Sequence, residues 1–122
     1  MASVAHFDGS QIAAAFAKGG TLFVASEYQV IAARREDPGK AESHAADTDI
    51  FFVVEGSATF VTGGALVESH EIAPGEARAA GGIAGGETWR LTRGEVMVVP
   101  AGTPHWLKEV SNPFLYFVVK VR

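Results

Sequence analysis

The sequence predicts an all-β sandwich or barrel preceded by one short α-helix. Runs rich in β-branched and aromatic residues recur along the chain, and turn residues separate them about every eight to twelve positions. Helical spacing is confined to the first 20 residues. Because 122 residues suffice to bury one hydrophobic core, we expect a single domain with a helical segment at 1–20 and a β-barrel at 21–122.

The N-terminal segment carries the start and stop signals of a short helix. Asp8 and Ser10 are both candidate N-caps, because their side-chain oxygens can accept hydrogen bonds from the free amides of the first turn. Ile12 and Phe16 share one helical face, and Gly19 follows as a stop. We therefore expect the apolar face of this helix to pack on the outside of a sheet.

The rest of the chain is interpreted as strands and turns. Gly63 and Gly64 suit the turn of a hairpin between strands at 58–61 and 65–72. Residues 74–86 contain several glycines and few large apolar side chains, which predicts an ordered loop over one end of the barrel. Further strands are predicted at 21–27, 28–36, 87–92, 96–99 and 113–121.

A turn at 100–104 directs one histidine out of the sheet. It follows a buried strand of four apolar residues and precedes a second apolar strand that begins at His105. Pro100 and Pro104 fix their own φ angles, and Gly102 can take a positive φ that a β-carbon would oppose. The direction of the His105 side chain is therefore set by local backbone chemistry.

A second group of polar residues comes earlier in the chain. Glu42 and His44 are two residues apart, so on a strand they point to the same face and can converge on one ion. Asp49 follows His44 by five residues, so residues 45–48 must form a turn that resets the alternation. Beyond that turn the strand is apolar on both faces, which predicts that both faces are covered.

These two segments resemble the two sequence motifs of the cupin superfamily. Gly94, Pro100, Gly102 and His105 match the second motif, although Glu109 stands where the family usually has Asn. The first motif is altered, because Glu42 and Asp49 occupy positions where the family has His and Glu, and Glu36 replaces its leading glycine. His44 and Gly56 match it. The resemblance implies a small RmlC-like cupin, a double-stranded β-helix or jelly-roll barrel.

The resemblance also implies a metal centre inside the barrel. Two imidazoles and two carboxylates suit a divalent transition metal such as Fe, Mn, Ni, Co or Zn. We expect His44, His105 and Asp49 to hold the ion, with Glu42 as a fourth ligand or general base. The chain would then be a metal-dependent oxidoreductase, isomerase or lyase acting on a small organic molecule. A non-catalytic ligand-binding cupin and a dimeric cupin with a vestigial site are the alternatives.

Four residues are candidates for the pocket that would receive such a molecule. Phe51, Trp89 and Tyr116 would line it if they face inward. Arg34 and its neighbour Arg35 end the strand before the first motif, and one of them could reach the barrel mouth and hold a substrate carboxylate. Arg34 is the candidate that we assign to this role.

Composition excludes several other classes of function. A net charge of −4 and an isoelectric point near 5.5 argue against nucleic acid as a partner. The chain has no cysteine, and its first 20 residues lack the features of a signal peptide, so we expect a cytoplasmic protein without membrane association. The family resemblance, together with the strand edges that a small barrel must cover, predicts a homodimer.

Overall fold

The computed structural model describes residues 3–122, so Met1 and Ala2 of the predicted segment 1–20 lie outside the described residues. Within that range the chain forms one helix followed by a series of short strands, as the sequence predicts. The elements are α1 (Gly9–Lys18), β1 (Gly20–Val24), β2 (Tyr28–Arg35), β3 (Ala41–His44), β4 (Thr48–Glu55), β5 (Ser57–Thr62), β6 (Ala65–Leu66), β7 (Ser69–Ala73), β8 (Glu76–Ala79), β9 (Ile83–Ala84), β10 (Glu87–Thr92), β11 (Val96–Val99), β12 (His105–Val110) and β13 (Phe114–Val121).

Two antiparallel sheets enclose the core of the barrel. One has the strand order β1-β2-β13-β4-β11, and the other has the order β10-β5-β12-β3-β8-β7. Alternate residues of the central strands point between the sheets, where Phe60, Phe114 and Val53 are almost completely buried. The predicted all-β jelly-roll is therefore confirmed. No helix within residues 3–122 is long and apolar enough to cross a membrane.

The helix lies where the sequence places it. Of the two candidate N-caps, Asp8 takes the role, since its carboxylate accepts from the Gln11 amide while the Gln11 side chain accepts from the Asp8 amide. Phe16 is the buried residue of the helix and meets Phe117 edge to face at 5.0 Å between ring centroids. Because Phe117 alternates with the inward-facing Tyr116, the helix covers the outside of the five-stranded sheet.

The predicted hairpin about Gly63 and Gly64 is wrong. β5 pairs with β10 and β12 instead, while β6 forms a separate two-stranded sheet with β9. A glycine is needed at position 64, because a β-carbon there would lie 2.5 Å from the carbonyl oxygen of Ala84. Gly64 therefore permits a close approach between distant backbone segments.

The predicted loop at 74–86 is also wrong, since it contains β8 and β9. β8 joins the six-stranded sheet between β3 and β7, and its register sets Glu76 opposite His44 and Arg78 opposite Glu42. The sequence of β8, Glu-Ala-Arg-Ala, has weak intrinsic strand preference, so its pairing comes from β3 and β7 and is invisible locally.

The expectation that both faces of β4 are covered needs correction as well. Asp49, Phe51 and Val53 are buried on one face, as the alternation predicts. On the other face Phe52 is 43% exposed. The adjacent β11 is an edge strand of the sheet, and its Val98 is likewise exposed. An apolar stripe therefore remains open beside the helix.

Candidate metal centre

His105 leaves the sheet at the first residue of β12, as the turn chemistry predicts. Gly102 has a φ of 83°, and its amide donates to the carbonyl of His44 at 2.7 Å, which ties the two motif segments together. The His105 ring is buried, and its Nδ1 is 3.0 Å from the carbonyl oxygen of Thr103. A carbonyl only accepts, so Nδ1 carries the proton and Nε2 keeps its lone pair for the barrel interior.

His44 is the last residue of β3, and its imidazole is in the same tautomer as that of His105. Its Nδ1 bonds to the Glu76 carboxylate of β8, which assigns the proton to Nδ1. Its Nε2 is buried and has no hydrogen-bond partner among residues 3–122. In a metal-ligating histidine, one ring nitrogen usually donates to a carboxylate, carbonyl or water, and the other ring nitrogen is free to bind the ion.

Glu42 joins the two imidazoles from β3, the strand that also carries His44. It lies opposite His105 in the register of β3 and β12. Its Oε1 is 3.9 Å from His44 Nε2, as expected for residues that share one strand face. Its Oε2 is 3.8 Å from Arg78 Nη2, so the guanidinium attracts the second oxygen and orients the carboxylate.

Asp49 approaches both imidazoles from the opposite sheet. Its Oδ2 is 3.5 Å from His105 Nε2 and 3.8 Å from His44 Nε2. The side chain is almost completely buried, and both of its oxygens also lie within hydrogen-bond distance of Lys120 Nζ. The structure therefore brings together all four residues that the sequence singles out, with Lys120 as an additional partner.

This donor set fits a metal ion. Among the described residues, Glu42, His44 and His105 offer ligand atoms that all lie within 4.8 Å of one another. Two ligand atoms that are each about 2.1 Å from an ion are at most about 4.2 Å apart, so modest closure of the triad would complete a site. Burial lowers the pKa of His105, which keeps the imidazole neutral and its lone pair free. The group can therefore bind a metal.

A cavity of about 100 Å³ extends from this group toward the barrel mouth. Phe51, Phe60 and Tyr116 form its apolar wall, and Arg35 lies at the mouth beside Gly39. Burial raises the pKa of the Tyr116 hydroxyl, and the nearby charge of Arg35 partly opposes this effect. The phenol therefore stays protonated and can donate within the cavity.

Two of the four predicted pocket residues lie elsewhere. Trp89 is 39% exposed and donates to Thr62 Oγ1 on the neighbouring strand. Arg34 is paired with Glu36 at 3.0 Å and lines a different groove, beside the helix. Its neighbour Arg35 lines the cavity instead, because adjacent residues of a strand point to opposite faces. Phe51 and Tyr116 line the cavity as expected.

Sequence reasoning missed Glu76, Arg78 and Lys120. The first two lie on β8, which has no clear strand signal. Lys120 had a usable signal, because it follows the core residues Tyr116 and Val118 at strand spacing and so shares their inward face. Each of the three contacts one residue of the candidate centre, so they are the groups that hold its ligands in place.

Solved structures with similar folds exist, although no protein-family model and no functionally curated protein matches the sequence. A Bacillus halodurans protein has a TM-score of 0.66 at 14% identity, over 92% of this chain and 75% of its own. A cupin superfamily protein from Desulfitobacterium hafniense has a TM-score of 0.58 at 14% identity, over 84% and 74%. Hydroquinone 1,2-dioxygenase from Sphingomonas sp., solved with 4-hydroxybenzoate bound, has a TM-score of 0.60 at 19% identity, over 86% and 65%. At these identities the similarity shows the fold alone.

Proposed function

The chain has the cupin fold, and on that premise we propose that it is a metal-dependent enzyme acting on a small organic molecule. Glu42, His44 and His105 hold a divalent transition metal in the barrel, and Asp49 lies beside them as a further carboxylate. The metal is of the borderline class, Fe, Mn, Ni, Co or Zn, which imidazole and carboxylate ligands accept together. The reaction is of the oxidoreductase, isomerase or lyase type.

The orientation of the two imidazoles carries this proposal. Glu76 and Thr103 each accept a hydrogen bond from an Nδ1 atom, so both Nε2 atoms face the interior. Leaving the buried His44 Nε2 unpartnered has a desolvation cost that a hydrogen bond or a metal bond would remove. Surface histidines have no such constraint, because water satisfies them. A bound ion is therefore the simplest reason for this arrangement.

The residues around the ion would perform separate tasks. A bound divalent ion would supply Lewis acidity to a coordinated substrate. Arg78 attracts the second oxygen of Glu42, which would leave the first oxygen directed at the ion. Phe51, Phe60 and Tyr116 exclude water from the apolar side of the cavity.

We propose that the substrate is a small organic anion. The Arg35 Nε atom is buried without a hydrogen-bond partner in the part of the chain that the structure describes. Its guanidinium faces both the cavity and an adjoining groove that Arg78 and Lys40 also line. A carboxylate would satisfy this guanidinium through paired hydrogen bonds. The ligand of the hydroquinone dioxygenase, 4-hydroxybenzoate, has this chemistry. A cavity of about 100 Å³ limits the buried part of the substrate to a few heavy atoms.

A non-catalytic ligand-binding cupin is the second candidate. Its support is the contact of Lys120 with both oxygens of Asp49, at 3.0 and 3.1 Å, which neutralises a buried carboxylate with no ion required. In such a protein, His105→Ala would abolish metal binding but leave the affinity for the organic ligand unchanged. In the enzyme, the same substitution would abolish turnover.

Metal analysis of protein purified without a His-tag tests the proposed function. We expect about one first-row divalent ion per chain, and after chelation the added ion should raise the melting temperature, because it binds the folded form alone. His105→Ala is the matched control, in which the melting temperature should no longer respond. Protein that carries no metal and whose stability is unchanged by Mn(II), Fe(II), Ni(II), Co(II) or Zn(II) would contradict the proposal.

We further propose that the chain is a single domain that forms a homodimer. The exposed Phe52, Val96 and Val98 lie together on β4 and the edge strand β11, and covering them would remove apolar surface from water. Sedimentation of the purified protein should give twice the monomer mass. Val98→Asp should return it to the monomer. A cytoplasmic location stays a prediction.

A further inference from the structure

Lys120 lies inside the barrel beside the candidate metal centre. It follows Tyr116 and Val118 on β13, both of which point into the core, and it shares their strand face. Its Nζ is 3.0 Å from Asp49 Oδ1 and 3.1 Å from Asp49 Oδ2. Since Asp49 is only 2% exposed, this ammonium and not water neutralises its charge.

The same carboxylate is within reach of a metal ion bound by the histidines. Asp49 Oδ2 is 3.5 Å from His105 Nε2 and 3.8 Å from His44 Nε2. Both distances are below the roughly 4.2 Å that can separate two ligands of one ion. Asp49 nevertheless lies outside the group of ligand atoms that are mutually within 4.8 Å, which comprises Glu42, His44 and His105. Asp49 therefore lies between the Lys120 ammonium and the position of the proposed metal ion.

These two cations need the same oxygen atoms. An ammonium donates hydrogen bonds to the carboxylate lone pairs that a metal ion would otherwise use. Its charge also repels the ion across a short distance in an interior of low dielectric constant. The pair has a structural benefit, because Asp49 is compensated before any metal arrives and the barrel can fold without it.

We propose that Lys120 competes with the metal ion for Asp49 and thereby sets the metal affinity and the number of protein ligands. The inference rests on the proposed metal centre. With Lys120 in place, the ion has the three ligands Glu42, His44 and His105, and coordination positions stay open for substrate. Without the ammonium, Asp49 becomes a fourth ligand. Lys120 is thus a positioning residue that acts through Asp49.

Lys120→Gln tests this inference, because glutamine can still donate a hydrogen bond to Asp49 but carries no charge. We expect Co(II) and Zn(II) to bind about ten-fold more tightly, a change of the size that groups next to metal ligands produce. The visible absorption of bound Co(II) should change in shape and intensity as a ligand is added. Lys108→Gln, which removes an exposed lysine on β12, is the matched control and should leave affinity and spectrum unchanged.

The Asp49→Asn background separates competition for a ligand from general charge effects. There Lys120→Gln should give a smaller gain in affinity and no change in the Co(II) spectrum. An equal gain in both backgrounds would overturn the inference. If Lys120→Gln proves too unstable, Lys120→Arg carries the test, since a guanidinium holds the carboxylate more firmly and should weaken metal binding. Unchanged or tighter binding by that variant would also overturn it.

The possible results distinguish this inference from the proposed function. If the parent protein and Lys120→Gln bind metal equally, the inference fails and the metal centre stands. If only Lys120→Gln binds metal, competition for Asp49 is supported, while the three-ligand site of the parent protein and the proposed enzyme are both contradicted. If neither binds, both fail.

Discussion

The two histidine-bearing segments of the barrel are oriented in different ways. His105 is held by its own turn, since its Nδ1 bonds to a carbonyl two residues earlier and Gly102 supplies the positive φ that shapes the turn. His44 is held by Glu76, which lies 32 residues further along the chain. One ligand is therefore oriented by local backbone chemistry, and the other by a distant strand.

The two carboxylates near His44 are also held by distant residues. Glu42 depends on Arg78 of β8, and Asp49 depends on Lys120 of β13, which is 71 residues away. The segment around His105 matches the cupin motif at its ligand position and departs from it only at Glu109, whereas the segment around His44 departs from it at two ligand positions. These two altered positions, Glu42 and Asp49, are the ones that pair with Arg78 and Lys120. The altered motif and its long-range partners therefore act as one unit.

The strongest test of the comparison removes each imidazole in turn. His44→Ala and His105→Ala should each lower metal affinity by more than about 100-fold, beyond the effect of losing a neighbouring group. Both imidazoles supply a ligand atom, however they are oriented. Competition with a chromophoric chelator measures the affinity, and His70→Ala, on the exposed β7, is the control. A variant of either residue that binds like the parent would remove that residue from the centre.

Glu76→Gln tests the long-range support of His44. The amide oxygen can still accept a hydrogen bond from Nδ1–H, but it lacks the charge that strengthens the imidazole as a ligand, so metal affinity should fall about ten-fold. Glu71→Gln, at an exposed position on β7, should have no effect. An unchanged affinity in Glu76→Gln would mean that His44 needs no distant partner and that the two segments are alike.

Gly102→Ala tests the local support of His105. A β-carbon there meets no atom of the described residues within 4 Å, so the cost is the positive φ alone, about 1 kcal/mol in the free energy of unfolding. Urea denaturation measures it. Gly20→Ala has equal space and no positive φ, so it should change stability much less. Equal effects of the two substitutions would show that the turn is not specified by its backbone conformation.

The smallest effect concerns the cavity wall that both segments share. The pKa of Tyr116 is raised in the folded protein, so above pH 10 the unfolded chain loses the phenolic proton first and stability falls as the pH rises. Tyr116→Phe should remove that loss, while Tyr28→Phe, at an exposed site, should not. Denaturation midpoints between pH 8 and 11 measure it. Parallel curves for the parent and Tyr116→Phe would contradict the burial of this hydroxyl.

Local chemistry explains which parts of the fold were predictable. The helix start at Asp8, the inward alternation of Asp49 and Phe51, and the turn before His105 all depend on neighbouring residues, and the sequence predicts each of them. The strand at Glu76 was missed because it forms against β3 and β7, and alanine contributes little strand preference.

The remaining errors at the site concern which side chains of a strand point into the barrel. The sequence prediction places Arg34 in the cavity, but the register of β2 turns Arg35 inward, and a shift of one residue reverses every side chain. Lys120 is inward by the same alternation that buries Val118, yet a charged residue near a strand end is usually solvated. The buried carboxylate of Asp49 draws the ammonium inward, and that partner lies 71 residues away in the sequence.

The most direct test of the account is the state of the histidine Nε2 atoms when metal is added. Nitrogen-detected NMR of the imidazoles during titration with Zn(II), which is diamagnetic, reports each ring nitrogen separately. We predict that the Nε2 signals of His44 and His105 both shift at one equivalent while their Nδ1 atoms stay protonated, and that His6 and His70 do not respond. Unshifted Nε2 signals of His44 and His105, or shifts confined to His6 and His70, would contradict a metal centre in the barrel.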